Sequence, residues 1–390
     1  MQRPLNLLLQ SLCVTLLAFV LSYVVAYDIS SLSAFASVEA AADIALSDVY
    51  NAVAQRRAVS RVSDEVVLVG IDSCTRNEIA AVLQVVDGCD PKAVGLDVMF
   101  AYPTQDDTAL IVALDGCRNL VLPMRVRYDA EAGVFGVVEQ LYFSEVLAAK
   151  QVGVVNLSAD YAHQLVRDFR LHFPLTDGSA AENFVVALAR VAAPERHAAL
   201  MARGAEEEII RYPSVEFESL SARELFDEEG FPSERAEALL RDRVVLVGAL
   251  HDSADRHPTP VHAHMAGLRI HAHALQTILS GNYLRHMPEW AGWLLATLFC
   301  LIFSWLNMWI KYDARWNNIE ALGLRVVQMG LMYGFLVVGC WWFIRHDGYL
   351  DFSASLLMIG LSALASDVWM GLRDVALLAV EKIRLMRKNN

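Results

Sequence analysis

Four long apolar runs constrain this chain more than any other feature. Leu5 to Tyr27, Trp290 to Ile310 and Val326 to Ile344 contain no charged side chain, and Phe352 to Leu372 contains only Asp367. At roughly 1.5 Å of rise per residue, each run is long enough to cross about 30 Å of hydrocarbon. Buried helices of soluble proteins keep a polar stripe, and these runs have none. They also explain why hydrophobic residues reach 55% of the chain. Four transmembrane helices are therefore expected, one N-terminal and three C-terminal. Asp367 lies inside the fourth, where an ionisable group is a functional suspect unless it reaches the headgroups.

Lysine and arginine in the short connections set the orientation. Arg3 precedes the first run, Lys311, Arg315 and Arg325 fall between the second and third, and Arg373, Lys382, Arg384, Arg387 and Lys388 follow the fourth. Only Arg345 marks the short turn between the third and fourth. Both termini are thus expected in the cytoplasm. The expected division is a cytoplasmic 1–4, a span at 5–27, an outer domain at 28–287, spans at 288–310, 326–344 and 352–372, a cytoplasmic loop at 311–325, an outer turn at 345–351 and a basic tail at 373–390. The first run exceeds the apolar segment of an ordinary signal peptide, which favours an uncleaved anchor.

From Asp28 to Met287 there are 37 acidic and 22 basic residues, a balance of −15 that argues against nucleic acid as a partner. Only Cys74, Cys89 and Cys117 lie outside the spans, and three thiols permit at most one bridge, too few for a disulfide scaffold.

Within the outer region, Phe35, Val38, Ala42, Leu46, Val49 and Val53 recur at helical spacing. Short β-rich runs follow at Val66 to Ile71, Ala93 to Val98, Leu120 to Leu122, Val152 to Asn156 and Val244 to Val247, separated by helical patterns. Such alternation predicts an α/β domain with a mainly parallel sheet flanked by helices. Thr75 with Glu78 forms a capping box, and Gly88 stands where a left-handed helix stop is expected. Thr104 with Asp106 and Asp107 opens a second helix closed by Gly116, and Ser221 with Glu224 opens a third, shorter one. Leu268 to Leu279 reads as the last helix, stopped at Gly281.

Ligands of parallel α/β sheets sit beyond the carboxyl ends of the strands. Asp72, Asp97, Asn156, His251, Asp252, Asp255 and Arg256 fall at such places. Each also has an ordinary structural use, since aspartates favour turns and caps. Seven of the eleven histidines lie between His251 and His286. His271 and His273 are two apart on a helix and so point to different faces, and no CxxC or HExxH accompanies them, which argues against zinc. The sequence has no GxSxG elbow, no GxxxxGK[ST] loop and no GxGxxG after the first strand. No enzyme and no cofactor is expected.

The strings DEVVLVGID, DPKAVGLDVMF, QDDTALIVAL, VGVVNLSAD with LVRDFRLHFPL, RDRVVLVGAL, DRHPTP and IHAHALQTILSG occur in an order that resembles the second type of CHASE domain, the cyclase/histidine-kinase-associated sensory extracellular domain. The resemblance covers roughly Ser47 to Leu284 and the three spans that commonly follow such a domain. It implies a non-catalytic sensory module of bacterial receptors, placed outside the cytoplasmic membrane. Recurrent polar positions of the family correspond here to Asp72, Asp97, Asp107, Asn156, Arg167, Asp255, Thr259 and His271. SCTRN at Ser73 to Asn77 departs from the family's tryptophan and proline motif, so any specificity set there differs.

Family receptors usually continue into an output domain, whereas the tail after Leu372 is too short to fold into one. The expectation is a ligand-binding module that acts through a membrane or cytoplasmic effector protein. Candidate ligand residues are Asp72, Asp97, Asn156, Arg167, Asp255, Thr259 and His271. Candidate partner contacts are Asp367, Arg384, Arg387 and Lys388, near anionic lipid. A second copy of the chain is a further expected partner, with Gly330, Gly334 and Gly339 allowing close helix approach, although lipid contact alone explains these glycines equally well. A docking subunit of an envelope complex is the alternative left open.

Overall fold

The computed structural model describes residues 2–24, 46–105, 107–141, 143, 147–158, 165–212, 215–312, 320–350 and 352–388. They belong to two compact units. One is Asn51–Leu284, and the other combines Met1–Tyr50 with Arg285–Asn390.

The unit Asn51–Leu284 is built on a seven-stranded sheet. Its first strands are β1 (Arg61–Gly70), β2 (Ala93–Asp97), β3 (Leu120–Asp129), β4 (Val134–Glu139) and β5 (Gln151–Val154). Two ribbons follow, β6 (Asp168–Arg170) with β9 (Glu207–Ile209) and β7 (His172–Pro174) with β8 (Ala180–Glu182). The chain then returns to the sheet with β10 (Val215–Ser221) and β11 (Val244–Gly248). The order is β10-β1-β11-β2-β3, with β4 and β5 both paired to β3. Every pairing is parallel except β3 with β4, as the alternating pattern predicts.

Alternate residues of the central strands enter two separate cores. Val66, Leu68, Val244 and Leu246 pack with the helices Phe184–Ala192 and Gly267–Ser280 on one face. Val67, Val69, Val245 and Val247 pack with the helices Arg76–Gly88, Asp107–Gly116 and Glu234–Leu240 on the other. Burial on both faces is why these strands are continuous apolar runs. Gly153 lets β5 approach the helix Phe184–Ala192, since a Cβ there would come within 2.5 Å of Phe184 Cα.

The Thr75 and Glu78 capping box forms, with the Thr75 amide donating to Glu78 Oε2 over 2.7 Å. Ser221 and Glu224 form the same box on a short 3-10 turn, Ala222–Leu225. The Thr104 amide donates to Asp107 Oδ2 over 2.5 Å at the start of Asp107–Gly116, while Asp106 lies outside the described residues. Asp107 is also ion-paired with Arg76. The helix Arg76–Gly88 ends at Gly88, but the left-handed residue expected there is Asp90, with φ 60°, whereas Asp107–Gly116 closes at Gly116 as expected. Short polar side chains tolerate this conformation, so glycine was not required. Gly281, with φ 66°, does end the helix Gly267–Ser280. The helix expected from Phe35 to Val53 is seen as Leu46–Arg57, its earlier part lying outside the described residues.

The other unit holds the helices Gln2–Tyr23, Glu289–Tyr312, Glu320–His346 and Ser353–Lys388. Each contains a stretch long and apolar enough to cross a membrane: Asn6–Tyr23, Trp290–Trp309, Arg325–His346 and Ser355–Val380. Val14, Ala18, Ala296, Cys300, Met358 and Ala365 form a common core in which small side chains bring helices close. Phe335 ties the helix Glu320–His346 to Phe299 and Phe352, with ring centroids 4.9 and 4.8 Å apart. Asn307 Nδ2 donates to Ser366 Oγ over 2.9 Å, a polar contact between two helices of the bundle. A Cβ added at Gly330 or Gly334 would meet nothing within 4 Å, so among the described residues neither glycine marks a helix contact within this chain. Gly339 does, because it accommodates the Tyr50 phenol. Two short strands complete the unit: β14 (Arg285–His286) pairs in parallel with β15 (Gly348–Tyr349). The Arg285 amide donates to the Asp347 carbonyl over 3.0 Å, and the Met287 amide to the Tyr349 carbonyl over 3.1 Å.

Candidate ligand-binding cleft

Registration of the sheet puts Gly70, Gly248 and Asp97 side by side at the carboxyl ends of β1, β11 and β2. The loops that leave this edge border a cleft of about 740 Å³. β2 contributes Asp97, the residues after β5 contribute Asn156, and the loop after β11 contributes Asp252 and Asp255. The remaining wall combines the β3–β4 hairpin, with Arg125, Arg127 and Glu139, and the start of the helix Gly267–Ser280, with Gly267 and His271. Between that loop and that helix, β12 (Arg256–His257) pairs with β13 (Met265–Ala266) and carries His257 to the cleft.

Two carboxyl–imidazole pairs line it. His271 Nε2 is 3.9 Å from Asp97 Oδ2, and its buried ring packs edge-on against Phe184 at 5.4 Å. His257 Nε2 is 3.1 Å from Asp255 Oδ1. Burial pushes the Asp97 carboxyl above its ordinary range, helped by the Asp255 charge and only partly opposed by His271. Burial acts on Asp255 in the same direction, but the His257 hydrogen bond, the two imidazoles and the Gly267 amide outweigh it and leave that carboxyl below its ordinary range. The two aspartates are therefore poised differently within one cleft. Gly267 has no room for a side chain, because a Cβ would lie 2.6 Å from Asp255 Oδ1.

Of the seven candidates read from the sequence, four converge here: Asp97, Asn156, Asp255 and His271. Asn156 also has a structural use, its Oδ1 accepting the Val126 amide over 2.8 Å where the β3–β5 ladder ends. The other three lie elsewhere. Asp72 Oδ1 accepts the amides of Leu250 (2.7 Å) and His251 (2.5 Å), with His251 Nδ1 3.1 Å from Oδ2, so it clamps the loop after β11 and does not line the cleft. Those bonds outweigh the effect of burial and hold its carboxyl below the ordinary value. Thr259 is buried, its hydroxyl donating to the His262 carbonyl over 2.9 Å in a local turn. Arg167 is buried beside β9, its carbonyl accepting the Ile210 amide over 2.9 Å. Asp367 is exposed on the helix Ser353–Lys388. Arg384, Arg387 and Lys388 fall in the last turns of that helix, their side chains outside the described residues.

Arg125, Arg127 and Glu139 do not stand out as site residues in the sequence. Their signal is the alternation Arg125-Val126-Arg127 ahead of a turn at Gly133, which marks a hairpin. Among the described residues, no three His, Cys, Asp or Glu side chains converge in a way that could hold a metal ion.

The family model of the CHASE2 domain matches residues 20–308, nearly three quarters of the chain. The chain belongs to the CHASE2 family. The match contains the entire cleft and extends beyond the sheet-bearing unit into the first and second apolar helices. No curated protein and no solved structure matches the chain. CHASE2 is a sensory domain, not a catalytic one, and with its membrane helices it makes this chain a membrane protein of the sensory class.

Proposed function

We propose that this CHASE2 protein is a sensory module of the bacterial cytoplasmic membrane, with its sheet domain outside and both termini inside. Its ligand occupies the cleft lined by Asp97, Asn156, Asp255 and His271, and its state is passed through the spans to an effector protein. His271 carries the reading. Its side chain faces Asp97 within the cleft, and its helix, Gly267–Ser280, is the last helix before the span that begins at Trp290. A ligand that moves Asp97 or Asp255 acts directly on that helix.

The orientation is supported by the basic residues flanking the spans, and the effector route by the helix Ser353–Lys388, whose 36 residues correspond to about 54 Å. That exceeds the hydrocarbon thickness and carries the helix past the lipid at one end. The test uses the full chain in lipid nanodiscs with a fractionated small-molecule extract. Binding should slow hydrogen exchange in 249–257 and 265–271 and change it at 285–287, with both effects lost in Asp97→Asn/Asp255→Asn. Protection confined to other surfaces would refute the cleft. Photo-crosslinking from position 384 should capture the effector in a ligand-dependent manner.

A further inference from the structure

Not every ionisable side chain of the cleft has a partner within it, and the two without one carry opposite charges. Asp97 and Asp255 face His271 and His257. Arg125 Nη1 lies 4.0 Å from Glu139 Oε2. Two exposed groups remain. Arg127, on the same face of β3 two residues beyond Arg125, meets no carboxylate at ion-pair distance among the described residues. Asp252, whose Oδ1 accepts the Ala254 amide over 2.8 Å, meets no cation there.

Both line the same cleft. One comes from β3 and the other from the loop after β11, the two strands that flank β2 in the sheet order. An anion suits the guanidinium and is repelled by the aspartate, and a simple cation has the converse problem. A molecule carrying both charges satisfies both. Guanidinium matches a carboxylate with two parallel N–H donors, and a carboxylate accepts from an ammonium group at short range.

We propose that the cleft takes a zwitterion of the free amino acid type, its carboxylate on Arg127 and its ammonium group on Asp252. A volume of about 740 Å³ leaves room for the ligand's side chain beside Asn156, Val155 and Leu157. This inference rests on the reading of the cleft as the ligand site and adds the chemical class of its occupant.

The test is calorimetric titration of the full chain in nanodiscs with each of the free L-amino acids. Each hit is compared with the amine that lacks its carboxylate and the acid that lacks its amine. At least one amino acid should bind, with both analogues at least tenfold weaker. Arg127→Gln should bring the amine to within about threefold of the amino acid, and Asp252→Asn should do the same for the acid. Arg127→Lys, which keeps the charge without the paired donors, should fall between parent and Arg127→Gln and serves if the latter misfolds. Absence of any amino acid binding, equal binding of the analogues, or indifference to both variants overturns the proposal. A sugar or dicarboxylate whose binding depends on Asp97 and Asp255 would overturn the zwitterion and leave the cleft as the ligand site. No compound sensitive to any cleft substitution would remove both.

Discussion

Removing the Asp72 carboxylate is the sharpest test of how the cleft is held. Its Oδ1 accepts two backbone amides, those of Leu250 and His251. Hydrogen bonds to a charged acceptor contribute about 1.5–3 kcal/mol each, but the two amides are not equivalent. Leu250 is buried, so in Asp72→Ala its N–H is left without an acceptor, at a cost of about 1–3 kcal/mol. The exposed His251 amide can turn to water, which reduces its share to below about 1 kcal/mol. The total is about 1–4 kcal/mol. In a domain of this size each kcal/mol shifts the melting temperature by about 2–4 °C, so a fall of about 2–16 °C is expected.

Asp72→Asn keeps an acceptor without its charge and should lose about half as much. The loop after β11 carries Asp252 and Asp255, so hydrogen exchange at 249–256 should accelerate in both variants. The pH dependence follows from the depressed carboxyl. The unfolded chain takes up the proton near the ordinary value of 3.8, while the folded chain resists it. The stabilisation is complete above 3.8 and is lost as pH falls through the lower folded value. The parent and Asp72→Ala should therefore converge only in strong acid. A melting temperature within about 1 °C of the parent at pH 7, with unchanged exchange in the loop, would refute the clamp.

Gly153→Ala places a methyl against backbone atoms of Phe184 and should destabilise by about 1–3 kcal/mol, whereas Gly136→Ala, with open space around it, should melt close to the parent. His273 is buried among Phe217 and Tyr212, and burial pushes its imidazole down to about 3. The unfolded chain protonates it near 6.5 and the folded chain does not, so stability should fall as pH drops from 6.5 toward 3, and His273→Leu should flatten that part of a melting-temperature profile. Asp97→Asn imitates the protonated carboxyl that burial favours and should melt no lower than the parent at pH 7; a clear loss would mean that the charged form is the stabilising one. Arg203→Ala leaves buried Glu208 without its partner and removes the guanidinium stacked 4.5 Å from the Tyr283 ring, which should cost about 3 kcal/mol in denaturant titrations.

β1, β2 and β11 were legible because burial on both faces makes each an uninterrupted apolar run. β10 and β4 were not, because Val215 to Ser221 and Val134 to Glu139 are mostly half-buried or exposed and contain glutamates. The same difference governs the cleft. Asp97 and Asn156 stand out as polar residues at the ends of buried strands, and Asp255 in the loop that follows one. Asp72 has that signature too, yet its carboxylate is occupied by neighbouring backbone, and only distances separate a clamp from a ligand contact. Arg125 and Arg127 belong to an exposed hairpin whose side chains look solvated in sequence, and the sheet order alone brings them beside β2.

The pairing of β14 with β15 has a consequence for how many spans can respond. The strand that follows Leu284 and precedes the second span is hydrogen-bonded to the turn between the third and fourth. A pull on that strand cannot be relieved by sliding one helix alone, because it loads the top of the other two at the same moment. The three C-terminal helices therefore share a single handle. Cutting it, with proline at position 285 to remove the amide donated to Asp347, should leave ligand binding intact while uncoupling the third and fourth helices from it.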